Sequence, residues 1–272
     1  MNPVELFQSG QLAEAVAAAT EAVRSRPSDI RARSLLCELL CFSGDLVRAD
    51  KQLDAALQID PGAMVGISLL RHLIRSEISR REVFHEGRVP DFLTAPTPSQ
   101  QLRLQAILNL RNGGQAEALQ CIQQAVELEQ PVGGEVDGVS FDEFRDLDDL
   151  LGPTLEIYTA TGKYFWLDCS QIVMLEFGTV EHLSDMLWRA ATIETTGDVS
   201  GRVHIPALYE GSHDSADQRV RIGRTTEWNQ VGTAGPVLGG GQREFLAGDE
   251  VIPILQIRRL AFRAEKSGQT VS

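Results

Sequence analysis

The sequence predicts a chain of two textures: an N-terminal array of stacked helical hairpins, then a C-terminal α+β domain with a curved, partly open, barrel-like sheet. Two observations carry this. Small and helix-breaking residues recur at a fixed interval near the N-terminus, where Gly10, Ala15, Ala22 and Pro27 reappear as Gly44, Ala49, Ala56 and Pro61, 34 residues on. Apolar positions keep helical spacing to about residue 130, then give way to short β-branched runs with frequent glycine.

The 34-residue interval is the tetratricopeptide period, and each position has a physical role. Gly breaks the chain between two helices, Ala lets them pack closely, and Pro ends the second. Asn2-Pro-Val supplies only a stub of the first helix, so the first unit is truncated. The second unit is complete, with Ile30–Phe42 and Asp45–Ile59 as its helices, although Arg33 stands where a large aromatic is usual. Beyond Pro61 the period slips. Val65–Val83 predicts one extra helix from Ile67, Leu70, Ile74 and Ile78, and Gly87–Pro98, with three prolines, predicts an irregular connection. Helices resume at Gln100–Asn112 and Gln115–Leu128, where Gly113, Ala118 and Ala125 repeat the same intervals. Residues 1–130 therefore read as about two and a half hairpins plus one odd helix, an array whose last helix needs a cap.

Residues 131–138 (Pro-Val-Gly-Gly-Glu-Val-Asp-Gly) read as a linker to an α+β domain at 139–265, and 266–272 as a frayed polar tail. Phe141, Phe144, Leu147 and Leu150–Leu151 predict a helix over 141–151 that Gly152–Pro153 stops. Leu155–Tyr158 turns through Thr161–Gly162 into Lys163–Leu167, an aromatic hairpin. A second helix is expected at about 180–190. The runs Ile193–Thr196, Arg202–Ile205, Arg219–Ile222 and Val251–Ile257 read as strands, with 196–201 as a hairpin loop.

Composition narrows the function classes. No apolar run nears the ~18 residues of a membrane span, and Met1-Asn-Pro-Val-Glu is no signal-peptide start. Cys37, Cys41, Cys121 and Cys169 are scattered, which suits a reducing compartment, so a soluble cytoplasmic protein is expected. The net charge of −13 is uneven: 117–149 holds ten Asp/Glu against one Arg. Nucleic acid is therefore not an expected ligand, because phosphate binding needs a basic face. The acidic strip could steer a basic peptide or simply be a solvated helix face.

Chemical motifs read mostly as structure. Gly239-Gly-Gly-Gln is followed by no helix start or GK[ST], so it reads as a turn, not a phosphate cradle. Asp142, Asp146, Asp148 and Asp149 lack the alternation of a calcium loop and read as a solvated face or as acceptors for arginine. The five histidines form no HExxH, and no GxSxG occurs. No catalytic residue, metal site or cofactor is assigned. Trp166, Trp188 and Trp228 are the only tryptophans. With Tyr164 and Arg224 they are candidate partner-binding residues, since such side chains anchor interfaces, although buried structural roles compete.

The 141–168 block resembles the ImpE/TagJ family, accessory proteins of bacterial type VI secretion. Four later blocks fit in order: Leu183-Ser-Asp-Met-Leu-Trp-Arg189, Val203-His-Ile-Pro-Ala-Leu-Tyr209, Ile222-Gly-Arg-Thr-Thr-Glu-Trp228 and Gly239-Gly-Gly-Gln-Arg-Glu-Phe-Leu246. Glu227 replaces the family's usual Asp. The resemblance covers essentially the whole chain. It implies a non-enzymatic cytoplasmic adaptor that binds the N-terminal segment of the small contractile-sheath subunit and links the sheath to its recycling AAA+ ATPase, with no membrane partner. The alternatives are a sheath-subunit chaperone or assembly factor, and an enzyme carried by the α+β domain. Partner contact is expected on the C-terminal domain or its junction with the repeats.

Overall fold

A computed structural model describes residues 2–263, so the tail at 266–272 lies outside the described residues. The helical half opens with α1 (Pro3–Gln8), α2 (Leu12–Ser25), α3 (Ile30–Phe42) and α4 (Leu46–Ile59). Short polar side chains set three of the helix starts. Asn2 accepts from Val4 N–H, Asp29 from Ala32 N–H and Asp45 from Arg48 N–H, each at 3.1 Å, satisfying donors that a first turn leaves orphaned. Gly10 and Gly44 take φ of +85° and +79° between paired helices, a conformation that other residues resist. Ala15, Ala49 and Ala56 are wholly buried where the helices approach most closely.

The extra helix is α5 (Met64–Glu86), ended by Gly87 in the left-handed conformation. It packs on α4 and, at its other end, on α6 (Pro98–Arg111), which pairs with α7 (Gln115–Leu128). The proline-rich connection before α6 is irregular, as expected, but one residue of it is ordered against the second half. Asp91 N–H donates to Tyr164 O at 2.9 Å and Asp91 O accepts from Trp166 N–H at 3.0 Å.

The second half is built on antiparallel strands. They are β1 (Gly134–Val136), β2 (Val139–Phe141), β3 (Phe144–Asp146), β4 (Thr154–Thr159), β5 (Tyr164–Asp168), β6 (Ile172–Phe177), β7 (Trp188–Thr195) and β8 (Ser200–Pro206). The short helix α8 (Gln218–Arg221) follows, then β9 (Thr226–Gln230), β10 (Val237–Gly241), β11 (Glu244–Ala247), β12 (Glu250–Pro253) and β13 (Arg259–Phe262). Eight strands form one open sheet in the order β2-β1-β13-β6-β7-β8-β4-β5. A three-stranded sheet, β12-β11-β3, packs on one face of it, burying Phe144, Phe245, Leu155, Ile157 and Leu167 between the two. Strands β9 and β10 make a separate hairpin.

Several expectations change. The 141–151 helix is replaced by the end of β2, then β3, then turns. The 131–138 segment carries β1, hydrogen-bonded to both β13 and β2. Only a 3-10 turn at Leu183–Met186 stands where a helix was expected near 180–190, and Trp188 already belongs to β7. Residues 219–222 fall in and just after α8, capped by Asp217, and are not a strand. Gly239–Gly241 lies in β10 instead of a turn. No described helix is long and apolar enough to cross a membrane.

Candidate functional site

The two halves meet along α5, and the meeting is charged. In a strand, alternate residues face opposite sides. Leu155 and Ile157 of β4 face the sheet-on-sheet core, while Glu156 and Tyr158 face the helices, as do Tyr164 and Trp166 of β5. Arg80 of α5 donates to both oxygens of Glu156, Nε at 2.7 Å and Nη2 at 2.8 Å. Arg243, between β10 and β11, donates Nη1 to Glu156 at 3.1 Å and Nη2 to Asp146 at 2.6 Å. Tyr164 Oη donates to Glu156 at 2.5 Å and accepts from Trp166 Nε1 at 2.6 Å. Glu77, one turn before Arg80, accepts from Tyr158 Oη at 2.6 Å and Trp188 Nε1 at 3.2 Å.

Burial by itself raises the Glu156 and Glu77 carboxyls, but nearby guanidiniums outweigh it and hold both below the usual glutamate range. Both are therefore ionised at neutral pH. A buried ion cluster of this kind is costly to break, because removing one member strands another charge in a dry site.

The acidic block after β3 folds by using its own carboxylates. Asp146 accepts from Asp148 N–H and Asp148 from Leu150 N–H, each at 2.8 Å, the pattern of successive Asx turns. Asp148 also accepts from Gly239 N–H at 2.8 Å and Asp149 from Val237 N–H at 2.7 Å, tying the block to β10. Burial, with Asp146 close by, pushes Asp148 up to about 7. Of the two readings, solvated face or arginine acceptor, Asp146 follows the second, being wholly buried against Arg243. Arg103 of α6 bonds both Glu129 and the carbonyl of Asp149, closing the helical array onto this block.

Beside the junction core lies an open groove of about 460 Å³. Leu53 of α4 and Ile67, Leu70 and Leu73 of α5 make its floor. Trp188 and His204 line it from the sheet, and Glu38 of α3 with Asp185 form an acidic wall. Just beyond, Met64 and Val65 are 60% and 84% exposed, large apolar side chains at the entry to α5. An apolar floor with a polar rim on rigid elements is the form of a helix-binding groove.

The five candidate residues do not form one patch. Tyr164, Trp166 and Trp188 are at most 2% exposed and belong to the junction core; Trp188 alone of the five touches the groove. Arg224 is exposed, and Trp228 is 38% exposed, tilted edge-on to Tyr209 at 5.5 Å between centroids. Sequence reasoning assigned no site role to Glu38, Leu70, Glu77, Arg80, Glu156 or Arg243. A signal existed for two of them: Glu156 interrupts an apolar strand, and Arg80 shares a face of α5 with Leu73 and Val83, seven residues before it and three after.

Comparison with known proteins agrees with this architecture. A tetratricopeptide repeat profile matches residues 6–68, and a profile described as ImpE protein matches 138–261. A crystal structure of a Vibrio parahaemolyticus protein is 28% identical and superposes with a TM-score of 0.90 over 97% of this chain and 98% of its own. The type VI secretion system accessory component TagJ of Pseudomonas aeruginosa is 32% identical over 95% of this chain and 90% of its own length. With identity of that extent spread across both halves, the chain belongs to the ImpE/TagJ family, the accessory proteins of type VI secretion.

Proposed function

We propose that this protein is a cytoplasmic adaptor of the type VI machine, with no reaction of its own to catalyse. It holds the N-terminal segment of the small sheath subunit as an amphipathic helix in the junction groove, and so links the sheath to its recycling AAA+ ATPase. The observation that supports this reading most is the groove itself: four apolar floor positions on packed helices beside a polar wall. An amphipathic helix laid there buries its apolar stripe, and charge sets its direction. A segment of ~20 residues spans about 30 Å as a helix.

The test is recovery of the small sheath subunit, with and without its first ~20 residues, on immobilised full-length protein. Capture that depends on the segment, and that Leu70→Asp abolishes, is the expected outcome. Leu70 is only half-buried, so the variant folds while placing a charge under the partner's apolar stripe. Equal recovery of intact and truncated subunit overturns the proposal.

A further inference from the structure

Glu38 is an unusual residue for a groove wall. It sits in the apolar run of α3 between buried Cys37 and Leu39, half-buried itself. Among the described residues its partner is Ser184, whose N–H lies 3.4 Å from Oε1, a long bond. Burial raises its pKa, and the groups acting on it are Ser184, His182 and Asp185, with no arginine or lysine among them. Asp185 has no such deficit, accepting from the N–H groups of Glu181 and His182 at 2.9 and 2.8 Å. A second unmet polar group lines the same groove. His204 is 4% exposed, and among the described residues its Nδ1 has no hydrogen-bond partner. Burial and the nearby Arg202 lower its pKa to about 4, so at neutral pH it is an uncharged imidazole that does nothing to offset Glu38.

These features determine what the groove tolerates. A helix laid on Leu53, Ile67 and Leu70 excludes water from the wall beside them. Glu38 then loses hydration that its long Ser184 bond does not replace, and no arginine or lysine among the described residues bonds to it, a heavy penalty for a carboxylate. A partner with a cation at that point removes the penalty and forms a charge-assisted bond; one without it is rejected. We propose that Glu38 is the specificity-determining carboxylate of the groove, pairing with a lysine or arginine at the edge of the docked helix's apolar stripe and thereby fixing its register. This inference rests on the adaptor reading above.

The experiment titrates full-length protein into a fluorescently labelled peptide of the first ~20 residues of the small sheath subunit, followed by anisotropy at low and high salt. Glu38→Gln keeps the shape and the Ser184 bond but removes the charge. It is expected to weaken binding about tenfold at low salt and less at high salt, with a melting temperature equal to or above that of the wild type. Peptides with each Lys or Arg replaced in turn by Glu should include one that the wild type binds at least about tenfold more weakly and that Glu38→Lys recovers. If Glu38→Gln binds within about twofold of wild type and no reversed peptide is recovered, while Leu70→Asp abolishes binding, this inference is overturned and the adaptor reading stands. If the wild type ignores the peptide, both fall.

Discussion

Replacing Glu156 by Gln tests whether the buried charges hold the two halves together. The carboxylate is 0% exposed and accepts four hydrogen bonds, two from Arg80 and one each from Arg243 and Tyr164. Glutamine keeps one acceptor oxygen and turns an NH₂ toward the donors that the other oxygen served. Arg243 retains Asp146, but Arg80 loses its bidentate partner and is left in the dry site with only the more distant Glu77, 3.9 Å away. Breaking a buried pair in this way costs about 3–5 kcal/mol, a large part of the roughly 5–15 kcal/mol that a typical fold possesses. With a urea slope of about 3 kcal/mol/M, the midpoint should fall by about 1–1.7 M. Far-UV circular dichroism reports mainly on the helices and tryptophan fluorescence on the sheet half, so one titration with both probes reads both halves. Because one apolar cluster runs from Phe7 and Phe42 through Leu73 to Trp166 and Trp188, both probes should move together in wild type and variant. Glu156 is held below the ordinary glutamate value of 4.5. Its contribution is therefore complete above that pH and is lost as pH falls through the lower folded value, so the gap between wild type and variant should close in acid. A midpoint shift under about 0.3 M, or wild-type halves that unfold at separate urea concentrations, would refute the reasoning.

Asp148 should act with the opposite sign. Its folded pKa of about 7 lies above the ordinary 3.8, so the folded protein binds the extra proton and wild-type stability falls as pH rises between those values. Asp148→Asn should flatten that slope, by roughly 2 kcal/mol between pH 5 and 7.5, in urea midpoints. Gly152→Ala should lower the melting temperature by several degrees, about 2–3 kcal/mol. Gly152 has φ +53°, and an added Cβ would lie 2.2 Å from Arg103 Nη2, displacing the guanidinium that closes the array. The tryptophans should separate under acrylamide. Trp228 is the quenchable one, and Trp228→Phe should remove that fraction at a cost under about 1 kcal/mol, whereas Trp166→Phe takes away the Tyr164 partner and should destabilise by about 2 kcal/mol or more.

The repeat was legible because its signal is steric and local. Gly10, Gly44, Ala49 and Ala56 are dictated by turns and close approach, so α3 and α4 agree with their sequence ranges to within one residue. The 141–151 segment misled for an equally physical reason. Phe141 and Phe144 are three apart, as on a helix, yet each packs from a short strand against Phe262. The aspartates after them, Asp146 and Asp148, satisfy backbone donors in turns, competing with the helix that their spacing suggested. For the tryptophans a buried structural role was legible beside that of interface anchors, but not the partner of each indole N–H, which local sequence cannot supply. Trp188 finds Glu77, 111 residues away. The groove was illegible for the same reason: Glu38 and Leu70 lie on α3 and α5, Asp185 and His204 in the other half, and no local pattern says which helix faces converge.

A shared helix also determines how the molecule bears load. Leu70 in the groove floor and Arg80 in the buried cluster lie on the same α5, about 15 Å apart at 1.5 Å per residue. A pull on a segment lying in the groove is a pull on that helix. Its first turns are gripped by α4 and its later turns by β4 and β5, so the force is resisted in shear by both grips at once. Among the described residues, α5 runs as one unbroken helix from the groove floor to the sheet. Under the proposed adaptor role, the protein works as a bracket, passing tension along α5 from the groove to the sheet.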